Sequence, residues 1–170
     1  MGGGSSTTRI LGIDPGTRVL GYGLIESRGS RLSLLDSGVF KAPAGDSLDR
    51  RLLRIVRELR GLVEKHKPDA AAVEDVFVKT DPRAALAVGQ ARGAVLVVLA
   101  EASLSIASYA PATIKRAVAG NGRASKEQVA KMVATILGKR PAGETFDATD
   151  AVAVAVTHAF RARSQALGNA

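Results

Sequence analysis

Three strand-like segments follow one another in the first 40 residues, before any stretch with helical periodicity. They span Arg9 to Asp14, Val19 to Glu26 and Leu32 to Phe40. Turn-forming sequences separate them, with Asp14-Pro15-Gly16 after the first and Gly29-Ser30 after the second. Three sequential strands at the start of a chain favour a sheet as the centre of the fold.

The rest of the chain alternates between helical and strand-like segments. Apolar residues recur at helical spacing from Leu48 to Leu62, and a helix from Pro82 to about Ala102 lies between short strands at Asp69 to Glu74 and Ser105 to Tyr109. Further helices are predicted to begin at Pro111, Ser125 and Thr145. The order βββαβαβ followed by helices predicts an α/β fold with a five-stranded mixed sheet and helices on both faces.

The length of 170 residues is that of one domain, which we place at residues 9–164. Residues 1–8 are rich in Gly, Ser and Thr, and we expect flexible tails there and at residues 165–170. The absence of cysteine fits a reducing compartment. The longest apolar run is far shorter than the roughly 20 residues of a membrane span. We therefore expect a cytoplasmic protein with no membrane partner.

The chain has a formal net charge of +8, from 24 Lys and Arg against 16 Asp and Glu. Such a surplus indicates an anionic partner, most commonly nucleic acid, although a basic surface kept for solubility is the alternative. Five arginines between Arg50 and Arg60 lie mostly on one side of the first helix. A row of this kind is more typical of a solvated helix face than of a DNA contact.

Four acidic residues stand at positions that suggest a metal site. Asp14 and Glu74 end the first and fourth strands, and Asp147 and Asp150 share one face of the last helix. Singly, each acid of the helix could be a charge favoured by the helix dipole, and Asp14 could be a turn residue. Together, converging carboxylates repel one another unless a cation neutralises them. We predict a site for Mg²⁺ or Mn²⁺, with two ions acting on a phosphodiester.

Four motifs in the same order resemble the RuvC family of bacterial Holliday-junction resolvases. They span residues 10–17, 73–77, 89–93 and 146–151. The resemblance implies a ribonuclease H-like fold and a homodimeric endonuclease that nicks two opposing strands of a four-way DNA junction in recombination and repair. It also implies a RuvA–RuvB branch-migration complex as partner and a bacterial cytoplasm, close to the nucleoid, as location.

The resemblance further implies roles for individual residues. The four acids match the catalytic, metal-binding quartet of the family, and Lys115 and Lys126 match basic residues of its active site. Phe77 matches an aromatic that stacks on opened bases, and we place Lys79 beside it as a DNA-binding residue. Without the resemblance, Phe77 would be interpreted as a core aromatic and the two active-site lysines as solvated helix residues.

Two positions depart from the family pattern. Asp75 stands where Gln is usual, and its carboxylate either alters metal preference or points to the other side of the strand. Thr80 stands where Asn is frequent. We interpret His158, at the end of the apolar stripe of the last helix, as structural, and His66 as a residue favoured at a helix C-terminus.

The helix beginning near Pro82 is apolar around most of its circumference, which predicts burial on most sides. Gly89 and Gly93 lie on one face and permit close backbone approach. We expect a two-fold homodimer through this helix, the alternative being burial under the protein's own C-terminal helices.

Three other functions fit the sequence less well. An actin-like or sugar-kinase-like ATPase needs two such domains, for which 170 residues are too few. A non-catalytic junction-binding protein would leave four acids unexplained beside a polyanion. A related nuclease acting on RNA in a hybrid is disfavoured by the motifs around Glu74 and Gly89.

Overall fold

The computed structural model describes residues 6–75, 81–141 and 146–168. The strands are β1 (Thr7–Asp14), β2 (Val19–Arg28), β3 (Arg31–Lys41), β4 (Ala70–Glu74) and β5 (Ser105–Tyr109). The helices are α1 (Leu48–His66), α2 (Pro82–Glu101), α3 (Pro111–Ala119), α4 (Lys126–Leu137) and α5 (Phe146–Gly168). The predicted order of elements and the five-stranded mixed sheet are confirmed.

The sheet has the strand order β3-β2-β1-β4-β5. β1, β2 and β3 pair in antiparallel fashion, whereas β4 and β5 run parallel to β1. The carboxyl ends of β1, β4 and β5 therefore meet at one edge of the sheet. Asp14 and Glu74 end two of these strands, so their backbones lie at this shared edge, as the sequence predicts.

Helices cover both faces of the sheet, each over its own apolar core. Successive strand residues point to opposite faces. Ile10 and Ala72 accordingly belong to the core beneath α3, α4 and α5, whereas Leu11 and Val73 belong to the core beneath α1 and α2. We call these the α5 face and the α2 face of the sheet.

Three glycines allow the backbone of α5 to lie directly on the strands. A Cβ atom at Gly12 would overlap the carbonyl oxygen of Ala151, and one at Gly21 would overlap that of Asp147. At Gly23, a Cβ would strike Val152. Because any side chain here would lift the helix, these glycines fix the depth at which α5, with Asp147 and Asp150, lies on the sheet.

The first strand and the last helix extend beyond the predicted domain bounds of residues 9 and 164. β1 begins at Thr7, two residues before the predicted start, because Thr7 and Thr8 pair with Arg28 and Ser27 of β2. Helix α5 continues to Gly168. Its last residues favour helix and contain no proline, so they extend the helix beyond the buried stripe.

Helix α2 is only partly covered. Its inner side is buried, but the side chains of Leu86 and Val97 are 66% and 56% exposed, and Gly89 and Gly93 are also exposed. Within the residues that the structure describes, α2 is the one helix long and apolar enough to cross a membrane by length and composition. The described C-terminal helices lie on the other face of the sheet, so the alternative, burial of this helix under them, is wrong, and the expected homodimer stays a prediction.

Candidate active site

Asp14 and Glu74 form the centre of the site. Their side chains share a hydrogen bond at the edge of the sheet. Burial, followed by the neighbouring Glu74 carboxylate, raises the pKa of Asp14 to about 8. Burial also raises the pKa of Glu74. Two carboxyl groups held this close disfavour their joint ionised state, so the pair retains a proton unless a cation is supplied.

Helix α5 adds two more acids to this centre. The charges of Asp150 and Asp147 both raise the pKa of Asp14, because like charges nearby disfavour its ionised form. Both acids lie at the N-terminal end of the helix, where the helix dipole favours negative charge. The four predicted acids are therefore close enough to interact, as the strand-end positions and the helical spacing predict.

Lys126 pairs with one of these acids. Its Nζ atom lies 2.8 Å from Oδ2 of Asp150, and this hydrogen bond raises the pKa of the lysine. A capping box formed by Ser125 and Gln128 begins α4 immediately before Lys126, so the start of the helix and the lysine are fixed together. Lys126 is thereby a fixed positive charge at the rim of the site.

A second lysine, Lys115 on α3, stands on the same side. The charges of Lys126 and Lys115 both lower the pKa of Glu74, which places their ammonium groups near its carboxylate. The acids and lysines open into a cleft of about 270 Å³, lined by Asp14, Glu74, Pro111, Ile114, Lys115, Lys126, Val129, Asp150 and Ala153. The predicted basic residues are therefore brought to the acids.

The donor set fits a hard divalent cation, since every acidic group of the cleft offers oxygen. Among the described residues, however, no three acidic or histidine side chains are close enough to surround one ion as they stand. Asp150 is instead paired with the Lys126 ammonium, and Asp14 lies beside Glu74 with a raised pKa.

The comparison with known proteins decides the family. The family model described as "Crossover junction endodeoxyribonuclease RuvC" matches residues 10–158. The chain belongs to the RuvC family. Its members are crossover junction endodeoxyribonucleases that resolve Holliday junctions in recombination and repair, and they use divalent metal ions.

Curated relatives agree with this assignment. The crossover junction endodeoxyribonuclease RuvC of Trichlorobacter lovleyi is 50% identical over 162 residues, which cover 93% of this chain and 89% of the relative. That of Moorella thermoacetica is 47% identical over 150 residues, covering 88% and 90%. These relatives are bacterial proteins.

Solved structures support the same fold. The structure titled "T. thermophilus RuvC in complex with Holliday junction substrate" superposes with a TM-score of 0.86 and 38% identity, covering 93% of this chain and 96% of that one. The yeast mitochondrial Holliday junction resolvase Ydc2, at 17% identity, matches in fold with a TM-score of 0.71 over 95% and 82% of the two chains.

Asp75, which departs from the RuvC pattern, faces away from the acids. Its Oδ1 atom lies 3.1 Å from a guanidinium nitrogen of Arg92 on the α2 face, opposite to Glu74. Strand alternation explains the direction, since consecutive residues point to opposite sides. The interpretation that Asp75 points to the other side of the strand is confirmed.

Both histidines have structural partners. The Nδ1 atom of His158 lies 2.8 Å from the Tyr109 hydroxyl, and burial lowers the pKa of the histidine. The Nε2 atom of His66, at the end of α1, lies 2.9 Å from Oδ2 of Asp36. These contacts agree with the structural interpretation of both residues.

Other predicted residues lie elsewhere. Phe77, Lys79 and Thr80 are outside the described residues, and the structure does not test them. Gly89 and Gly93 lie on the α2 face, away from the cleft, where a Cβ atom at either position would meet nothing within 4 Å.

Sequence reasoning missed the glycines beneath α5. Gly12, Gly21 and Gly23 were treated only as parts of strands. Their signal was available, because Gly12 stands two residues before Asp14 and Gly21 two before Gly23. That spacing places bare positions on one face of a sheet. The helix that covers them could not be identified from spacing alone.

Proposed function

We propose that this RuvC-family chain nicks two opposing strands of a four-way DNA junction by metal-dependent hydrolysis, with Asp14, Glu74, Asp147 and Asp150 as its catalytic quartet. The observation that supports this most strongly is the cleft in which Asp14, Glu74 and Asp150 lie together with Lys115 and Lys126. A half-buried acid pair of this kind gains most from a cation. The lysines beside it provide the positive charge that a DNA phosphate needs.

The quartet would hold Mg²⁺ or Mn²⁺, and we propose two ions per site. When bound, such ions activate a water and stabilise the leaving oxygen of a phosphodiester. The chain's own residues do the rest. Asp14 gives up its proton, Asp150 is released from Lys126, and the Lys126 and Lys115 ammonium groups face the phosphate, where they stabilise developing negative charge.

The substrate is tested by cleavage of labelled DNA. The protein is incubated with a four-way junction, a linear duplex and an RNA/DNA hybrid, each with Mg²⁺, Mn²⁺ or a chelator, and the nicks are mapped. We expect paired nicks at symmetric positions in the junction, only with a divalent cation. Preferential cutting of the hybrid would instead favour the related nuclease activity.

The quartet is tested by charge-removing substitutions. Asp14→Asn and Glu74→Gln should abolish cleavage but retain junction binding, because loss of negative charge does not weaken attraction to phosphate. Glu64→Gln, at an exposed position of α1, is the matched control and should cleave normally. Cleavage at the wild-type rate by either quartet variant would contradict the assignment.

Further DNA contacts are proposed for Phe77, by stacking on bases opened at the crossover, and for Lys79, by its charge. The family resemblance supports both roles. If Phe77 stacks, Phe77→Ala should weaken cleavage more than Phe77→Trp does, because every base offers a π face to an aromatic ring.

We also propose a two-fold homodimer through α2. The support is the exposed stripe of Leu86, Gly89, Gly93 and Val97, which the described C-terminal helices leave uncovered. Exposed apolar surface of this kind marks an interface, and the two glycines permit close approach. Sedimentation at micromolar concentration should show a dimer, and Gly93→Leu should shift it toward monomer. A wild-type monomer that makes paired, coordinated nicks would contradict the proposal.

Family membership supports the remaining parts of the proposal. We place the protein in the bacterial cytoplasm, close to the nucleoid, with a RuvA–RuvB branch-migration complex supplying its junctions. The nuclease domain spans residues 9–164, with the additions to β1 and α5 described above. Co-purification of tagged chain with RuvA and RuvB on junction DNA, against duplex DNA as control, tests the partnership.

A further inference from the structure

The motif at residues 89–93 contains one charged residue, Arg92, for which the catalytic proposal has no role. Arg92 lies on α2 and its side chain is only 22% exposed. One terminal guanidinium nitrogen donates to Oγ of Ser108 at 2.7 Å and lies 3.1 Å from Oδ1 of Asp75. Its Nε atom is buried and makes no hydrogen bond. The Arg92 guanidinium is therefore largely buried, and its two contacts are with Ser108 and Asp75.

Both contacts are at the ends of two neighbouring strands, β4 and β5, and Glu74 is the last residue of β4. Asp75 directly follows Glu74, and its backbone N–H donates to the carbonyl of Tyr109 at 2.9 Å. Ser108 pairs in register with Val73, and Tyr109 with Glu74. Arg92 thus joins the last residues of β4 and β5 to each other and to α2.

The alternation of strand side chains separates this contact from the reaction. Glu74 points to the α5 face and its cleft, whereas Asp75 and Ser108 point to the α2 face. Arg92 therefore does not reach the reacting atoms. It can affect them only through the backbone between Asp75 and Glu74.

The charges favour a specific anchor over general packing. Within the described part of the chain, Asp75 is the one carboxylate that pairs with Arg92. A largely buried guanidinium left without its counter-charge is strongly unfavourable, so Arg92 constrains where Asp75 can lie. The Asp75 carboxylate meets the guanidinium as an ion pair, so attraction between the charges adds to this constraint.

We propose that Arg92 is a positioning residue that fixes the Glu74 end of β4 from the α2 face, with Asp75 as its counter-charge and the Ser108 hydroxyl as its hydrogen-bond acceptor. The proposal rests on the proposed function only in taking Glu74 as a catalytic group. Loosening of this anchor displaces the Glu74 carboxylate without removing any contact to DNA.

The test measures cleavage and binding separately. Arg92→Ala, Arg92→Lys, Asp75→Ala and the double variant Arg92→Ala/Asp75→Ala are compared with the wild type. The control is Arg60→Ala, which removes the salt bridge, with its two hydrogen bonds, between Arg60 on α1 and Glu101 at the C-terminal end of α2. The readouts are single-turnover cleavage of a four-way junction at saturating protein, junction Kd with chelator, and the thermal midpoint.

Arg92→Ala should lower the cleavage rate by about tenfold or more, with the Kd changed by less than about threefold, because only positioning is lost. Arg92→Lys should recover part of the rate, since an ammonium can reach both acceptors. The double variant should be no slower than Arg92→Ala, because both substitutions break one anchor. Arg60→Ala should cleave like the wild type.

Additive losses in the double variant, or equal losses of rate and binding, would overturn the proposal. If Arg92→Ala does not fold, Asp75→Ala and Arg92→Lys decide the matter, because Asp75 is half exposed and Arg92→Lys keeps the charge. Wild-type rates in both folded variants would overturn it. A wild type that fails to cut the junction would contradict the proposed function instead, and the same comparison would then use whichever nucleic acid it cuts.

Discussion

The two faces of the sheet are built in opposite ways. On the α5 face, glycines replace side chains beneath the helix, and polar groups gather where its first turn meets the strand ends. On the α2 face, large aliphatic residues such as Leu11, Ile13 and Leu99 fill the core, and the helices present arginines and apolar residues outward. On the α5 face, the helix backbone lies directly against the strands at the glycines, whereas on the α2 face side chains pack against side chains.

The difference shows where each face can tolerate change. At these glycines there is no room for even one methyl group between α5 and the strands, so the depth of the helix is fixed. A cluster of interacting carboxylates requires such fixed positions. Side-chain packing on the α2 face adapts to changes in volume, and part of the outer side of α2 is exposed. The precisely positioned α5 face and the more adaptable α2 face are therefore the two sides of one sheet.

The strongest test of this comparison is one added methyl group on each side. Gly21→Ala should lower the free energy of unfolding by about 1–3 kcal/mol, because its Cβ would overlap the backbone of α5 at Asp147. It should also lower the cleavage rate by about 100-fold, because the first-turn acids move. Gly61→Ala, in the middle of α1 with nothing within 4 Å of its Cβ, should stabilise by up to about 1 kcal/mol.

Urea unfolding and single-turnover cleavage measure both effects. A Gly21→Ala variant as stable and active as the wild type would refute the close contact on the α5 face. Destabilisation by Gly61→Ala would show that an added methyl group is unfavourable even where it meets no other atom.

A second prediction concerns the lysine at the rim of the cleft. Lys126→Ala should lower the cleavage rate by about tenfold to a hundredfold and change junction binding much less, if the ammonium acts in the transition state. Lys131→Ala, at an exposed position of the same helix, should change neither. If Lys126→Ala loses only affinity, together with a shallower salt dependence, Lys126 is an ordinary phosphate contact.

The acid pair predicts a pH dependence of stability. The pKa of Asp14 rises from 3.8 to about 8 on folding, so the folded state binds a proton that the unfolded state releases. With chelator present, its contribution to stability is therefore complete below about pH 4 and is lost as the pH rises toward 8. The slope from this group is at most about 1.4 kcal/mol per pH unit.

Asp14→Asn isolates this term, because an amide does not titrate. Urea unfolding at pH 6 and at pH 8 should show a smaller loss of stability for the variant than for the wild type. Equal losses in the two proteins would mean that Asp14 ionises normally in the folded state.

The smallest expected effect belongs to the α2 face. The side chains of Arg60 and Glu101 are each about half exposed, although two hydrogen bonds of 3.0 Å join them. Arg60→Ala should lower the free energy of unfolding by less than about 1 kcal/mol, and added salt should reduce the difference further. A larger effect in thermal or urea unfolding would show that charge, as well as apolar packing, holds this face together.

Much of the fold was predictable because its signals are local. Strand alternation, helical spacing, the Asp81-Pro82 helix start and the Ser125 capping box depend on neighbours in sequence, and they yield the order of elements. The placement of Asp14 and Glu74 at one edge followed from their positions at the ends of parallel strands.

The remaining features depend on residues distant in sequence. The pairing of Lys126 with Asp150 spans 24 residues, and that of Arg92 with Ser108 joins a helix to a strand. The direction of Asp75 depends on where β4 stops, and the single-chain exposure of α2 depends on which helices cover which face. Spacing in one sequence gives the faces of an element but not its partners.

Because Asp14 and Glu74 share a hydrogen bond, the binding of a metal ion to this pair should be coupled to the release of a proton. A divalent cation that binds both carboxylates must expel the proton between them, so loading should acidify an unbuffered solution and should tighten as the pH rises. In Asp14→Asn, the binding of metal should no longer release this proton, because the amide does not titrate. Protons and divalent cations therefore compete for the same pair of carboxylates.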